Sequence, residues 1–254
     1  MARGPGPGKP TVNPVAIFGG IVGVAALGLA VWRRWLTPSG VAAALVTGAA
    51  LLVGSHAAGP ILLTLFLVSA SLLDRIGRRS SAPAGWVGLA GQPRHAGQVL
   101  ANSVVPAVAA LLATAGLLPE AGSVLAGALA GMTADTWATE VGAGLRAPAR
   151  LITTFRPVCP GESGGVSVPG TLAGVVGAST IAGVAALLPA AAWGHATPAA
   201  FAPVVVGGIA GLSIDSLLGA TAERRWTAVT NETVNLIASL TGAVVAFGLA
   251  ASAS

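Results

Sequence analysis

Long apolar runs, each ended by a Gly/Pro break or a cluster of arginines, dominate the chain. They show no polar–apolar alternation of period two, so they predict helices rather than the strands of a membrane barrel. Crossing ~30 Å of hydrocarbon takes about 20 such residues, fewer at the margin. Eight runs qualify, near residues 14–32, 39–55, 59–74, 98–118, 120–142, 166–191, 200–220 and 231–251. The second and third are short, and the GSHAAGP break between them also suits a re-entrant pair, which leaves seven as the alternative count. The expected fold is all-α, a polytopic membrane helix bundle. Residues 1–13 are expected to form a disordered, Pro/Gly-rich tail, and residues 14–254 a single transmembrane helical domain.

Composition strengthens this reading. Hydrophobic residues make up 54% of the 254 and charged residues only 8%, where soluble domains carry about 25% charge. The 36 glycines suit close helix–helix contact through small residues. A single cysteine, Cys159, excludes an intrachain disulfide framework and a cysteine-rich metal site. The net charge of +5 is not arranged as a basic face interleaved with aromatics, so a nucleic-acid partner is not expected.

The placement of that charge orients the bundle. With eight helices, Arg33, Arg34, Arg75, Arg78, Arg79, Arg94, Arg146, Arg150, Arg156, Arg224 and Arg225 fall on one side, and only Arg3 and Lys9 on the other. The richer side is expected to be cytoplasmic, with both termini outside, in what we read as a prokaryotic plasma membrane. Merging two helices would scatter the arginines over both faces.

Two acids then stand out. The fifth run carries ADTWATEVG (134–142), with Asp135 about 14 residues, or ~21 Å, from its outer end. Asp215 is similarly deep in the seventh run. A carboxylate within the bilayer costs at least ~2.5 kcal/mol on insertion scales and is by default a functional group. Asn102, Gly164, Gly165, Ser167, Asn231, Glu232 and Asn235 all open outward-running helices, on the same inner side. The segments GALAGMTADT (127–136) and GGIAGLSIDS (207–216) align without a gap, Asp135 on Asp215. Lying two runs apart, they predict a parallel internal repeat of helices five–six and seven–eight, with a site at the repeat interface.

Paired carboxylates near amides and glycines suit Mg²⁺, which is commonly held by one or two carboxylates plus substrate phosphates. Helix starts at 164–167 and 231–235 can offer free N–H groups to anions, and Arg94, Arg146, Arg150 or Arg156 can offset phosphate charge. These are parts of a phosphoryl-transfer site. Glu140 lies roughly 140° around a regular helix from Asp135, so it ranks below Asp215 as Asp135's partner unless the helix breaks near Gly142. His56 and His195 read as loop residues on the far side.

The stretches GQPRHAGQVLAN (91–102), ADTWATEVG, PGESGGVSVPGT (160–171), GLSIDSLLGAT (211–221) and NETVNLI (231–237) resemble, in order, the successive motifs of the DUF92 family of integral membrane proteins. The resemblance runs from about residue 33 onward. That family includes a phytyl-phosphate kinase, so the resemblance implies an isoprenyl-phosphate kinase that uses a nucleoside triphosphate, CTP first, with Mg²⁺. Asp135 and Asp215 would hold the metal, with Glu140 beside them in the catalytic group. Arg94, Asn102, Arg156, Gly164, Gly165, Ser167, Thr171, Asn231 and Asn235 would bind nucleotide or lipid phosphate. Glu162 and Ser163 stand where the family has Thr and Asn, and Thr230 where a second Asn is expected, which puts a direct role for these positions in doubt. The residues by themselves leave two other readings open, an ion-coupled transporter with paired intramembrane aspartates and a lipid-phosphate cytidylyltransferase.

Overall fold

The computed structural model describes residues 13–81, of which 76–81 by backbone alone, and 92–253. All but one residue of the expected N-terminal tail lies outside the described residues. The exception, Asn13, caps the first helix by accepting from Val15 N–H.

The helices are α1 (Pro14–Trp32), α2 (Pro38–Ser55), α3 (Ala58–Ser81), α4 (Ala96–Thr114), α5 (Ala121–Gly144), α6 (Val168–Leu187), α7 (Phe201–Ala220), the single turn α8 (Ala222–Arg225) and α9 (Asn231–Ala251). Their starts follow local chemistry. Thr37, Ser167 and Thr230 accept from backbone N–H groups three residues on, and His95 with Gln98 closes a capping box on α4. Such caps satisfy first-turn donors that lipid cannot. Proline at the first or second position of α1, α2 and α6 costs no helical hydrogen bond there.

The second and third runs form separate helices joined by a tight turn at His56 and Ala57, with no re-entrant pair. Among the described residues, seven helices are long and apolar enough to span a membrane. The eighth long helix, α5, falls short in hydropathy because it needs no lipid-facing surface. Its residues 121–134 are all buried, enclosed by α3, α4, α6, α7 and α9. A helix surrounded by protein can carry Gly, Ala and Asp where an outer helix needs Leu and Val.

Contacts along the helices show that the eight alternate in direction. Asn13 and His56 meet at one end, where His195 N–H donates to Gly54 O. At the other end Arg94 N–H donates to Trp35 O, and His95 faces Glu232 at 3.4 Å. This second end gathers the described arginines and is called the basic end below.

The repeat is visible as geometry. α5 and α7 run parallel, with Gly131 packed on Gly211 so closely that a Cβ on Gly211 would sit 2.9 Å from the Gly131 Cα. Gly127 and Gly207 both press on Gly242 O of α9. Three helix backbones thus meet through glycine at successive levels of the bundle, and van der Waals contact replaces the hydrophobic drive that lipid removes.

One element is missing from the sequence reading. Between α5 and α6, β1 (Ala149–Leu151), β2 (Pro157–Val158) and β3 (Gly165–Val166) form a small antiparallel sheet ordered β2-β1-β3. It pushes the start of α6 to Val168, two residues past the expected boundary, and α6 ends at Leu187, short of the expected 191.

The glycine contacts predict a stability contrast. Gly211→Ala should lower the thermal midpoint in detergent, losing about 1–3 kcal/mol to overpacking. Gly28, which has no heavy atom within 4 Å of its missing Cβ, should take Ala with no loss, or a gain of up to about 1 kcal/mol. Equal midpoints for the two variants would refute the close-packing account.

Candidate functional site

At the basic end the helices part around a cavity of about 1350 Å³. Its acidic wall begins with the repeat. Because α5 and α7 are in register at Gly131 and Gly211, residues four further on face each other, and the Asp135 and Asp215 carboxyls lie close enough to act directly on one another. Two carboxyl groups this close cannot both stay charged without a shared proton or a cation between them. Asp215 Oδ2 is buried without a hydrogen-bond partner, an unsatisfied acceptor of the kind that points to an unseen ion or ligand. Glu223, on α8, is near enough to act electrostatically on both acids.

The opposite wall is basic. Arg33 and Arg34 follow α1, Arg75 ends the apolar part of α3, and Arg94 precedes α4; all four line the cavity. Arg34 holds a left-handed backbone (φ 56°), uncommon for a residue with a side chain. Arg75 donates to Arg33 O at 3.2 Å and stacks on Trp35. Arg94 is fixed at both ends: its backbone pairs with Trp35 and Thr37, and its Nη1 donates to Ser71 at 2.9 Å. Burial lowers the Arg94 guanidinium from its ordinary value, while the charges of Asp74 and Glu140 raise it.

Most of the residues expected at the site are brought together. Asp135, Asp215, Glu140, Arg94, Asn102, Gly164, Gly165, Ser167, Thr171, Asn231 and Asn235 line the one cavity. Asn102 Oδ1 is a second buried acceptor without a partner. α5 continues unbroken to Gly144, so Glu140 faces away from the aspartate pair, toward Arg94. Arg156 is the exception. It sits in the β1–β2 turn, exposed and outside the cavity wall, and Arg146, just after α5, and Arg150, on β1, are likewise exposed and outside it.

Two expected roles change. Gly164 has φ 76°, and a Cβ there would lie 2.3 Å from Ala220 N. Its open space is filled by α7, so it lets the loop dock on the helix rather than admit a ligand. Ser167 spends its hydroxyl capping α6. The positions that depart from the family pattern also have work. Ser163 Oγ donates to Glu223, and Glu162 accepts from Cys159 N–H and from Arg224. Thr230 caps α9.

Sequence reasoning missed Arg33, Arg34, Arg75, Asp74 and Glu223. In sequence these arginines read as topological markers, and Asp74 stands one residue before Arg75, where a snorkelling pair would also stand.

The Glu162 clamp carries a pH signature. The Cys159 N–H and the Arg224 guanidinium hold its carboxyl below the ordinary glutamate value of 4.5. A carboxylate depressed in the folded state contributes fully above its unfolded value and loses that contribution as pH falls through the folded one. Hydrogen-exchange protection of the Cys159 amide should therefore persist to pH 4.5 and fall only under more acidic conditions. In Glu162→Ala, which removes the acceptor, it should be weak at every pH; unchanged protection in that variant counts against the clamp.

Comparison with known proteins places the chain. The model of the family described as integral membrane protein DUF92 matches residues 21–243. An uncharacterized membrane protein of Synechocystis is 30% identical over 228 residues, covering 87% of this chain and 85% of the relative. One from Methanocaldococcus jannaschii is 32% identical over 238 residues, 91% of this chain and 93% of the relative. Protein PGR of Arabidopsis thaliana is 31% identical over 183 residues, 64% and 63% of the two chains. No solved structure matches significantly. With a family model spanning most of its length, a helical bundle and the motifs in order along the chain, this protein belongs to the DUF92 family of integral membrane proteins.

Proposed function

We propose that this protein is a membrane-embedded isoprenyl-phosphate kinase, transferring a phosphoryl group from a nucleoside triphosphate, CTP first, to a lipid monophosphate. The observation that carries the reading is the two-signed cavity, lined both by Asp135 and Asp215, whose Oδ2 is unsatisfied, and by four arginines. In this reading the basic end is cytoplasmic, where nucleotide is available.

The donor set suits Mg²⁺. Among the described residues no three His, Cys, Asp or Glu side chains are grouped to hold an ion by themselves. Two carboxylates completed by substrate phosphates are the usual arrangement for this metal, and when bound it would neutralise charge developing on the transferring group. An oxygen of the lipid phosphate attacks the terminal phosphorus of the nucleotide. The bond to the bridging oxygen breaks, and nucleoside diphosphate leaves. The nucleophile is already an anion, so no general base is needed. Catalysis is then positioning and charge stabilisation, with Arg33, Arg34, Arg75 and Arg94 holding nucleotide phosphates and Asn102, Asn231 and Asn235 orienting the acceptor.

The test uses purified protein in detergent with CTP or ATP, Mg²⁺ and C15–C20 prenyl phosphates. CDP release that EDTA abolishes is expected. Asp135→Asn and Asp215→Asn should reduce kcat by ~10²–10³ while keeping the wild-type thermal midpoint; undiminished rates would refute the metal assignment. Pyrophosphate in place of CDP would indicate cytidylyl transfer, and ion-coupled flux in proteoliposomes without nucleotide turnover would indicate a carrier.

The arginines separate by position. Arg34→Ala and Arg94→Ala should raise the nucleotide KM about tenfold or more, the loss of one charge-assisted contact. Arg156→Ala should leave it unchanged. Equal effects at all three would mean that the cavity does not hold the nucleotide.

A further inference from the structure

The cavity is not confined to the charged end. Its wall continues along a furrow between α6 and α7, past Thr171 and Ser216 to Val175, Ile209 and Leu212. The two helices are antiparallel there. Leu212 lies over Gly174, where a Cβ would come within 2.7 Å of its Cδ2, and forms the inner side of the furrow. One turn further on the furrow is shut, because a Cβ on Gly208 would sit 2.7 Å from Ala178 Cβ and 3.0 Å from Ala130 Cβ. Six residues separate Asp215 from Ile209, a rise of ~9 Å toward the middle of the bundle.

On its outer side the furrow opens to the bilayer. The neighbouring α6 residues Leu172 and Val176 are 60% and 55% exposed, the lipid-facing surface of that helix. Ser213, also exposed, returns its hydroxyl to Ile209 O, so it presents no unsatisfied donor to hydrocarbon. The furrow is therefore polar where it meets the aspartate pair, apolar above, and bounded by protein on its inner side.

We infer that the hydrocarbon tail of the lipid substrate occupies the α6/α7 furrow, the substrate moving in sideways from the bilayer with its phosphate toward Asp135 and Asp215. The inference rests on the reading that the substrate is a lipid phosphate. This path keeps the anionic head in the polar cavity and the tail in apolar surroundings throughout, so neither part is desolvated or exposed to water in transit. A second apolar groove, about 360 Å³ between α4 and α9, is lined by residues such as Val108, Leu112, Leu240 and Phe247. It shares no lining residue with the cavity and so lacks the continuity that a single head-and-tail ligand requires.

The experiment is photocrosslinking of full-length protein in liposomes. Benzoylphenylalanine is introduced at Val175 or Ile209, or at Val108 or Phe247, and the sample is irradiated with radiolabelled farnesyl phosphate. Labelling at 175 and 209 that unlabelled farnesyl phosphate suppresses is expected. Labelling confined to 108 and 247, or none at any position, overturns the inference. Crosslinking needs no turnover, so a furrow adduct without CDP release would sink the kinase reading alone, and CDP release without a furrow adduct would sink this one alone. As a second measure, Ile209→Trp, checked for a monodisperse profile in detergent, should raise KM about tenfold for farnesyl phosphate by crowding the apolar path. It should leave KM for isopentenyl phosphate unchanged, and an equal rise for both overturns the inference.

Discussion

A carboxylate placed among hydrocarbon chains must be paired, bound to a cation, or walled off from lipid, at a cost of ~2.5–3.5 kcal/mol on insertion scales when it is not. This bundle carries two such groups side by side, and much of its architecture follows from housing them. α5 gives up all lipid contact and is enclosed by five neighbours. α7 approaches it so closely that a Cβ on Gly211 would sit 2.9 Å from the Gly131 Cα. One turn below that contact the two helices present Asp135 and Asp215 to each other and to the cavity, shielded from the bilayer. Small residues do here what large apolar ones do in a water-soluble core, since close backbone contact is the attraction that survives in lipid.

The loop between α5 and α6 completes the enclosure from the basic end. Its three short strands project the 160–167 segment back over the cavity, where Gly164 docks on the end of α7 and Glu162 and Ser163 engage Arg224 and Glu223. Glu162 and Ser163, at positions where Thr and Asn are expected, are both used in the clamp. What is needed there is an acceptor for the Cys159 N–H and a donor to α8, and these side chains supply both. α8 is a single turn with no buried residue, and the clamp is what holds Glu223 near the aspartate pair.

The helices, their alternation and the α5–α7 repeat were legible in the sequence because each rests on one dominant constraint. Lipid thickness sets run length, the arginines mark one face, and two copies of a Gly-x-x-x-Gly-x-x-x-Asp spacing repeat a contact and a charge together. The small sheet was not legible, since strands of two or three residues have no period to detect. Nor was the basic wall. Arg33, Arg34 and Arg75 beside a membrane carry the same sequence signature whether they orient the chain or bind phosphate, and only the positions of α1 and α3 separate the two. Arg156 illustrates the converse: its charge suits a phosphate, but the β1–β2 turn carries it outside the cavity wall. Gly164 is a glycine needed for close approach, which reads the same in sequence whether protein or ligand comes near; here Ala220 of α7 packs against it.

The roughly 140° between Asp135 and Glu140 on a regular helix divides the site. On one face of α5, Asp135 meets Asp215, and these acids belong to the C-terminal repeat. On another face Glu140 acts on Arg94, with Asp74 close by, and that cluster belongs to the N-terminal helices. A kink that brought both acids to one ion would have merged the two regions. The unbroken α5 keeps them apart, one suited to a cation and one suited to phosphate anions. In the proposed phosphoryl transfer Asp135 and Asp215 would hold the cation, while the guanidinium groups would take up phosphate charge. A single straight helix carrying two acids five residues apart faces both regions at once.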